Sequence, residues 1–98
     1  MNYRINYSKV ISQADSIQDE AQELAAQIEL IEQLEQYCKS TWKGEASSTF
    51  ISKLGQLKGE MAQTRSQITL LASTIKACAN RIHRADLEAA RLAQIRSL

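Results

Sequence analysis

The chain has 98 residues, a length typical of one domain, so residues 1–98 are predicted to form a single domain. Only five residues are aromatic, three are glycine and none is proline, which excludes β-sandwiches and small barrels because those folds need a turn about every 8–12 residues. Twelve basic and eleven acidic side chains nearly cancel, so the composition predicts no nucleic-acid partner and no attraction to an anionic membrane.

The N-terminal residues, 1–7, lack the apolar core of a secretory signal peptide. The longest apolar runs, such as residues 70–72, are far shorter than the ~20 residues that a membrane span needs. If the protein leaves the cell, we therefore expect a route that does not read such a leader.

A first helix is predicted over about 8–39, because apolar residues recur there at alternating steps of three and four. Such a 3.5-residue repeat forms an apolar seam that wraps left-handed against a partner helix. The seam positions that we single out in this helix are Ile17, Leu24, Ile28 and Ile31.

The one convincing break in the chain is a turn predicted over about 40–45. At its start, Ser40 and Thr41 are residue types that favour helix caps. Gly44 allows a positive φ, and Glu45 suits a helix N-terminus.

A second helix is predicted over about 46–95, where the same repeat continues. Its positions expected in the core or at a dimer contact are Phe50, Leu54, Leu57, Met61, Ile68, Leu71 and Ile75. The predicted fold is all-α: an antiparallel hairpin of two long helices. Since the apolar stripe is wider than a two-stranded coil requires, two hairpins are expected to associate into a four-helix bundle.

The two halves of the chain carry opposite charge. Residues 1–41 contain three basic and seven acidic side chains, a net charge of −4, whereas residues 42–98 contain nine basic and four acidic side chains, a net charge of +5. This contrast favours pairing of the two helices as antiparallel neighbours.

No set of residues in the sequence predicts catalysis, a metal site or a cofactor. His83 is the single histidine and is expected to be structural and partly exposed. Cys38 and Cys78 have no metal-ligand spacing and are expected to be free, buried thiols. We therefore predict that the protein is not an enzyme.

Trp42-Lys43-Gly44 forms a W-x-G sequence at the only turn, followed by small residues and then Phe50. This arrangement resembles the WxG family of small helical-hairpin proteins that type VII (ESX or Ess-type) secretion systems export. The resemblance implies that Trp42 and Gly44 form the export and turn motif, and that the protein is made in the bacterial cytoplasm and secreted without a cleavable signal peptide.

The family also carries a C-terminal signal, Y-x-x-x-[D/E], on its second helix. The best match here runs from Ile82 to Asp86, so the acidic residue is present but isoleucine replaces the aromatic one. The resemblance thus implies a degenerate signal, and the protein is expected to travel with a partner if it cannot be exported alone.

Several partners and roles stay open at this point. The partner is a second copy or a different WxG-like protein, and a larger type VII toxin and the secretion ATPase are further candidates. One alternative is a targeting chaperone that binds the helical N-terminal domain of a larger toxin. Another is an intracellular coiled-coil adaptor in which the W-x-G sequence is accidental.

Overall fold

The computed structural model describes residues 5–97, which form two long helices and confirm the predicted all-α hairpin. Helix α1 spans Tyr7–Thr41 and helix α2 spans Glu45–Arg96. The turn is tighter than expected, with residues 42–44 in place of 40–45, because each helix extends by one or two residues at its ends. The domain predicted for 1–98 also includes residues 1–4 and 98, which lie outside the described part.

Polar side chains define where α1 begins and ends. The Asn6 side chain accepts a hydrogen bond from the Lys9 backbone N–H at 3.2 Å, which caps the first turn. At the other end Thr41 Oγ1 donates to the Tyr37 carbonyl at 2.7 Å, and the Trp42 N–H donates to the Cys38 carbonyl at 2.9 Å. The helix stops there because Trp42 has extended backbone angles, φ −115° and ψ 126°.

The interface between the helices is built on small side chains. Ala14 and Ala21 of α1 are 0% exposed, and Ala72 and Ala79 of α2 are 2% and 1% exposed. Since alanine has no side chain beyond Cβ, the two backbones approach closely at these positions. The hairpin is consequently a thin rod with extents of 82 × 18 × 15 Å.

On α1 the predicted seam faces α2, with Ile17, Leu24, Ile28 and Ile31 all half-buried. On α2 the predicted positions divide into two groups. Four of them face α1, where Leu54 is buried and the half-buried positions are Met61, Ile68 and Ile75. The other three are exposed, namely Phe50 at 39%, Leu57 at 45% and Leu71 at 52%. Within a single chain, α2 therefore has a second apolar line that α1 does not cover.

Ion pairs connect acidic α1 to basic α2, as the charge contrast predicts. Lys58 Nζ lies 2.8 Å from Glu35 Oε1 and 3.9 Å from Glu32 Oε1, and Lys76 pairs with Asp15. The Glu35 side chain is 10% exposed, and Lys58 is the only partner of its Oε1 atom among residues 5–97. Lys58 thus neutralises a carboxylate that packing has removed from water.

Replacing Lys58 with methionine is expected to lower the free energy of unfolding, because it leaves the Glu35 carboxylate buried without a partner. The hydrogen bond with Glu35 raises the pKa of Lys58 above its usual 10.5, desolvation offsets part of this rise, and the charges of Glu35 and Glu32 add smaller increases. A folded-state pKa above the unfolded value gives stabilisation that is complete below pH 10.5 and is lost as pH rises through the folded pKa.

Urea unfolding from neutral pH to above pH 10.5 measures this contribution. The stability gap between wild type and Lys58→Met should be constant near neutrality and shrink at alkaline pH. Lys53→Met, at an exposed lysine of the same helix that makes no ion pair within residues 5–97, is the matched control and should leave stability nearly unchanged. Equal losses from both variants would show that the Lys58 ion pair is not responsible.

The N-terminal end of the hairpin is held by side chains of both helices. The Tyr7 and His83 rings stack with centroids 4.2 Å apart and an interplanar angle of 15°. The Tyr7 hydroxyl donates to Asn80 Oδ1, and the Ile5 N–H donates to Asp86 Oδ2 at 3.4 Å. Helix α2 continues past this contact as far as Arg96, so it overhangs α1.

Candidate functional site

The W-x-G turn has a backbone that only its glycine adopts easily. Gly44 has φ +117° and ψ 177°, a region of backbone space populated almost solely by glycine. The positive φ expected from the sequence is therefore present. Because Gly44 also occupies the N-cap of α2, this one residue reverses the chain direction and starts the second helix.

Ser47 closes the turn from the α2 side. Its side chain is almost fully buried, at 1% exposure, and its Oγ donates a hydrogen bond to the Trp42 carbonyl at 2.9 Å. Sequence reasoning treated Ser47 only as one of several small residues. A serine three positions after a glycine N-cap was the available signal, but Ser48 beside it is equally small and is exposed.

Trp42 and Phe50 form an aromatic pair beside the turn. Their ring centroids are 5.6 Å apart with an interplanar angle of 51°, a tilted arrangement that aromatic side chains favour. Trp42 is nevertheless 44% exposed and Phe50 is 39% exposed. The turn thus fixes a rigid, solvent-facing aromatic surface, which suits recognition by another protein and supplies no acid, base or nucleophile.

The degenerate C-terminal signal lies at the opposite end of the hairpin. Ile82 is 44% exposed, whereas Asp86 is half-buried and accepts the hydrogen bond from Ile5. At 1.5 Å per residue, Ile82 is about 57 Å along α2 from Gly44. One chain alone does not bring the two predicted signal elements together.

No cluster of three or more His, Cys, Asp or Glu residues able to hold a metal occurs within 5–97. Cys38 and Cys78 are both free, but Cys78 is exposed, which corrects the expectation that both thiols are buried. No helix in the described part of the chain is both long enough and apolar enough to cross a membrane.

Comparison with known proteins identifies the family. The family model WXG100, described as proteins of 100 residues with WXG, matches residues 2–87. Searches of curated proteins and of solved structures found no significant match. Since the family model covers most of the sequence, including both helices as far as residue 87 and the W-x-G turn between them, the chain belongs to the WXG100 family.

Proposed function

We propose that this protein is a non-enzymatic substrate of a type VII secretion system, or the export partner of one, and that it acts as a dimer with a composite signal. WXG100 proteins are small helical proteins that type VII systems secrete without a signal peptide. The observation that carries the proposal is the turn, where Trp42 stays 44% exposed although Gly44 and Ser47 fix the backbone around it.

The large distance between the W-x-G turn and the C-terminal signal within one chain supports the proposal that the protein acts as a dimer. WXG100 proteins typically dimerise with WxG partners. If two hairpins associate in antiparallel fashion, the turn of one lies near the C-terminal half of the other's α2. Trp42 and Gly44 of one chain would then share a surface with Ile82 and Asp86 of the other, and this composite surface is what the secretion machinery reads.

A second candidate function is that of a targeting chaperone for a larger toxin. It is favoured by an apolar patch on the outer side of α1, formed by Leu30, Leu34 and Tyr37, which are 62%, 42% and 64% exposed. Co-expression with proteins encoded by neighbouring genes, followed by mass determination, separates a homodimer from a complex with a long partner.

Trp42→Ala is expected to reduce secretion strongly while leaving helicity and assembly mass nearly unchanged, because Trp42 is 44% exposed and lies in the turn, outside both helices. Secretion is measured as the ratio of the protein in culture medium to that in cells. Helicity and mass are measured by circular dichroism and sedimentation on the purified variant.

Tyr37→Ala is the matched control, since Tyr37 is also an exposed aromatic residue close to the turn but lies outside the W-x-G motif. It should be secreted normally if the composite signal directs export, whereas loss of its secretion as well would favour the second candidate, whose patch includes Tyr37. Normal secretion of Trp42→Ala combined with a much lower melting temperature would contradict the proposal and make Trp42 a packing residue. Asp86→Ala is a less direct probe, because it also removes the acceptor of the Ile5 N–H.

A further inference from the structure

The first residues of α1 lie beside the part of α2 that carries the degenerate C-terminal signal. Tyr7 stacks on His83 with ring centroids 4.2 Å apart, and its hydroxyl donates to Asn80 Oδ1. Two residues earlier, the Ile5 N–H donates to Asp86 Oδ2 at 3.4 Å. The two hydrogen bonds join residues that are 73 and 81 positions apart, so a motif confined to α2 does not include Tyr7.

Tyr7, His83 and Asp86 line one cavity that is partly open to solvent. Ile5 and Leu87 supply its aliphatic walls, and its volume is about 370 Å³. His83 and Asp86 are three positions apart on α2 and are therefore neighbours on the helix surface. Because the Tyr7 ring lies against the His83 ring, it stands about one helical turn from the Asp86 carboxylate. The hairpin thus places an aromatic face beside an acid at its open end.

Position 82 is also a neighbour of Asp86, but its isoleucine provides no ring. With 3.6 residues per turn, positions 82 and 83 lie on opposite sides of position 86 along the helix surface. An aromatic residue at position 82 would therefore stand on one side of Asp86, and the stacked Tyr7 and His83 rings stand on the other. Both arrangements put an aromatic face next to the same carboxylate.

We infer that Tyr7 supplies the aromatic group that position 82 lacks, so that the C-terminal signal is assembled across both helices from Tyr7, His83 and Asp86. The inference rests on the proposed function, because it names a further residue of the same export signal. Tyr7 is the residue that the partner contacts, and His83 is a positioning residue that holds its ring.

The three side chains keep surface that another protein can contact, since each is only half-buried. Asp86 Oδ2 accepts the Ile5 N–H, whereas Asp86 Oδ1 accepts no hydrogen bond from residues 5–97, and Asp86 makes no ion pair in that range. A guanidinium group pairs with a carboxylate and also stacks on aromatic rings. The surface therefore fits a protein partner that presents an arginine.

Tyr7→Ala is expected to lower export about tenfold or more, as the loss of an aromatic anchor does in a protein interface. Tyr7→Phe keeps the ring and removes only the hydrogen bond to Asn80, so its export should stay close to that of wild type. Export is measured as the ratio of protein in medium to protein in cells, in the bacterium that encodes the chain. Equal losses from both variants would overturn the role of the ring.

A second-site change separates recognition of Tyr7 from a purely structural role. Ile82→Tyr in the Tyr7→Ala background returns an aromatic ring to the neighbourhood of Asp86 without rebuilding the stack on His83. Export of the double variant should therefore recover towards the wild-type ratio, while its melting temperature stays as low as that of Tyr7→Ala. A folded double variant whose export does not recover would overturn the inference.

Val10→Ala is the control for stability. Val10 is half-buried on α1, about one turn after Tyr7, and does not line the cavity. This change should lower the melting temperature through lost packing and leave export normal. A loss of export as large as that of Tyr7→Ala would show that export follows stability, and would overturn the role of Tyr7.

Asp86→Asn tests the acidic member of the cross-helix signal. Asparagine keeps an oxygen that can accept the Ile5 N–H but carries no charge, so the contact at the open end is retained. Export should fall about as far as it does with Tyr7→Ala. Wild-type export of Asp86→Asn would overturn the assignment, because a neutral amide would then serve as well as the carboxylate.

These outcomes are separable from a failure of the proposed function. Loss of export through Trp42→Ala combined with normal export of Tyr7→Ala retains the proposed function and removes Tyr7 from the signal. The reverse result, with recovery through Ile82→Tyr, retains the cross-helix signal and removes the export role of the turn.

Discussion

Gly44→Val is expected to lower the free energy of unfolding by about 1–3 kcal/mol, the usual cost of holding a non-glycine residue in a forbidden backbone region. The cost comes from φ +117° alone, since a Cβ built on Gly44 meets no atom within 4 Å. The strain is relieved only if the backbone of the turn changes, and that backbone sets the direction of both helices. Loss of export should therefore accompany the loss of stability, which urea unfolding at fixed protein concentration measures.

Gly55→Ala and Gly59→Ala are the matched controls. Both glycines are helical with open space at the Cβ position, so alanine should leave stability unchanged or raise it by up to about 1 kcal/mol per site. If Gly44→Val unfolded at the same urea concentration as wild type, the turn would have an alternative conformation without positive φ.

Ala21→Leu is expected to be the second large effect, with a loss of about 1–3 kcal/mol from overpacking. Ala21 is fully buried. The Glu35–Lys58 ion pair sets the register between the helices, and this register places Ala21 at the level of Ala72. A leucine there has no space unless the two backbones move apart along several turns.

Ala26→Leu is the corresponding control on the same helix, because Ala26 is exposed and leucine is also a good helix former. Thermal and urea unfolding of the two variants should differ clearly, with Ala26→Leu close to wild type. Similar stabilities would show that the alanine interface is loose enough to accept larger side chains.

Much of this fold is predictable from the sequence, because few residues break helices and the apolar spacing on α1 marks one long seam. The positions Ile17, Leu24, Ile28 and Ile31 all face α2. On α2 the spacing is ambiguous, since Leu54 and Leu57 lie on neighbouring lines of the same helix. Periodicity reports both lines without indicating which one α1 covers, and it is Leu57 that remains exposed.

Other features depend on the partner helix and escape a reading of local sequence. Lys58 looks like an ordinary surface lysine, yet it faces α1 because Glu35 is buried opposite it. Tyr7 and His83 are far apart in sequence, and only the register of the hairpin brings their rings together. The W-x-G motif locates the turn, but it does not show that the Ser47 side chain is buried and donates to the Trp42 carbonyl.

The rod shape has a consequence for how the protein behaves in solution. Its radius of gyration is 22.8 Å, whereas a compact domain of this length has one of about 13 Å. An elongated particle experiences more friction than a sphere of equal mass, so it diffuses slowly and elutes early from a sizing column. A single hairpin would then be mistaken for an oligomer by elution volume, and its mass is reliable only from light scattering or sedimentation equilibrium.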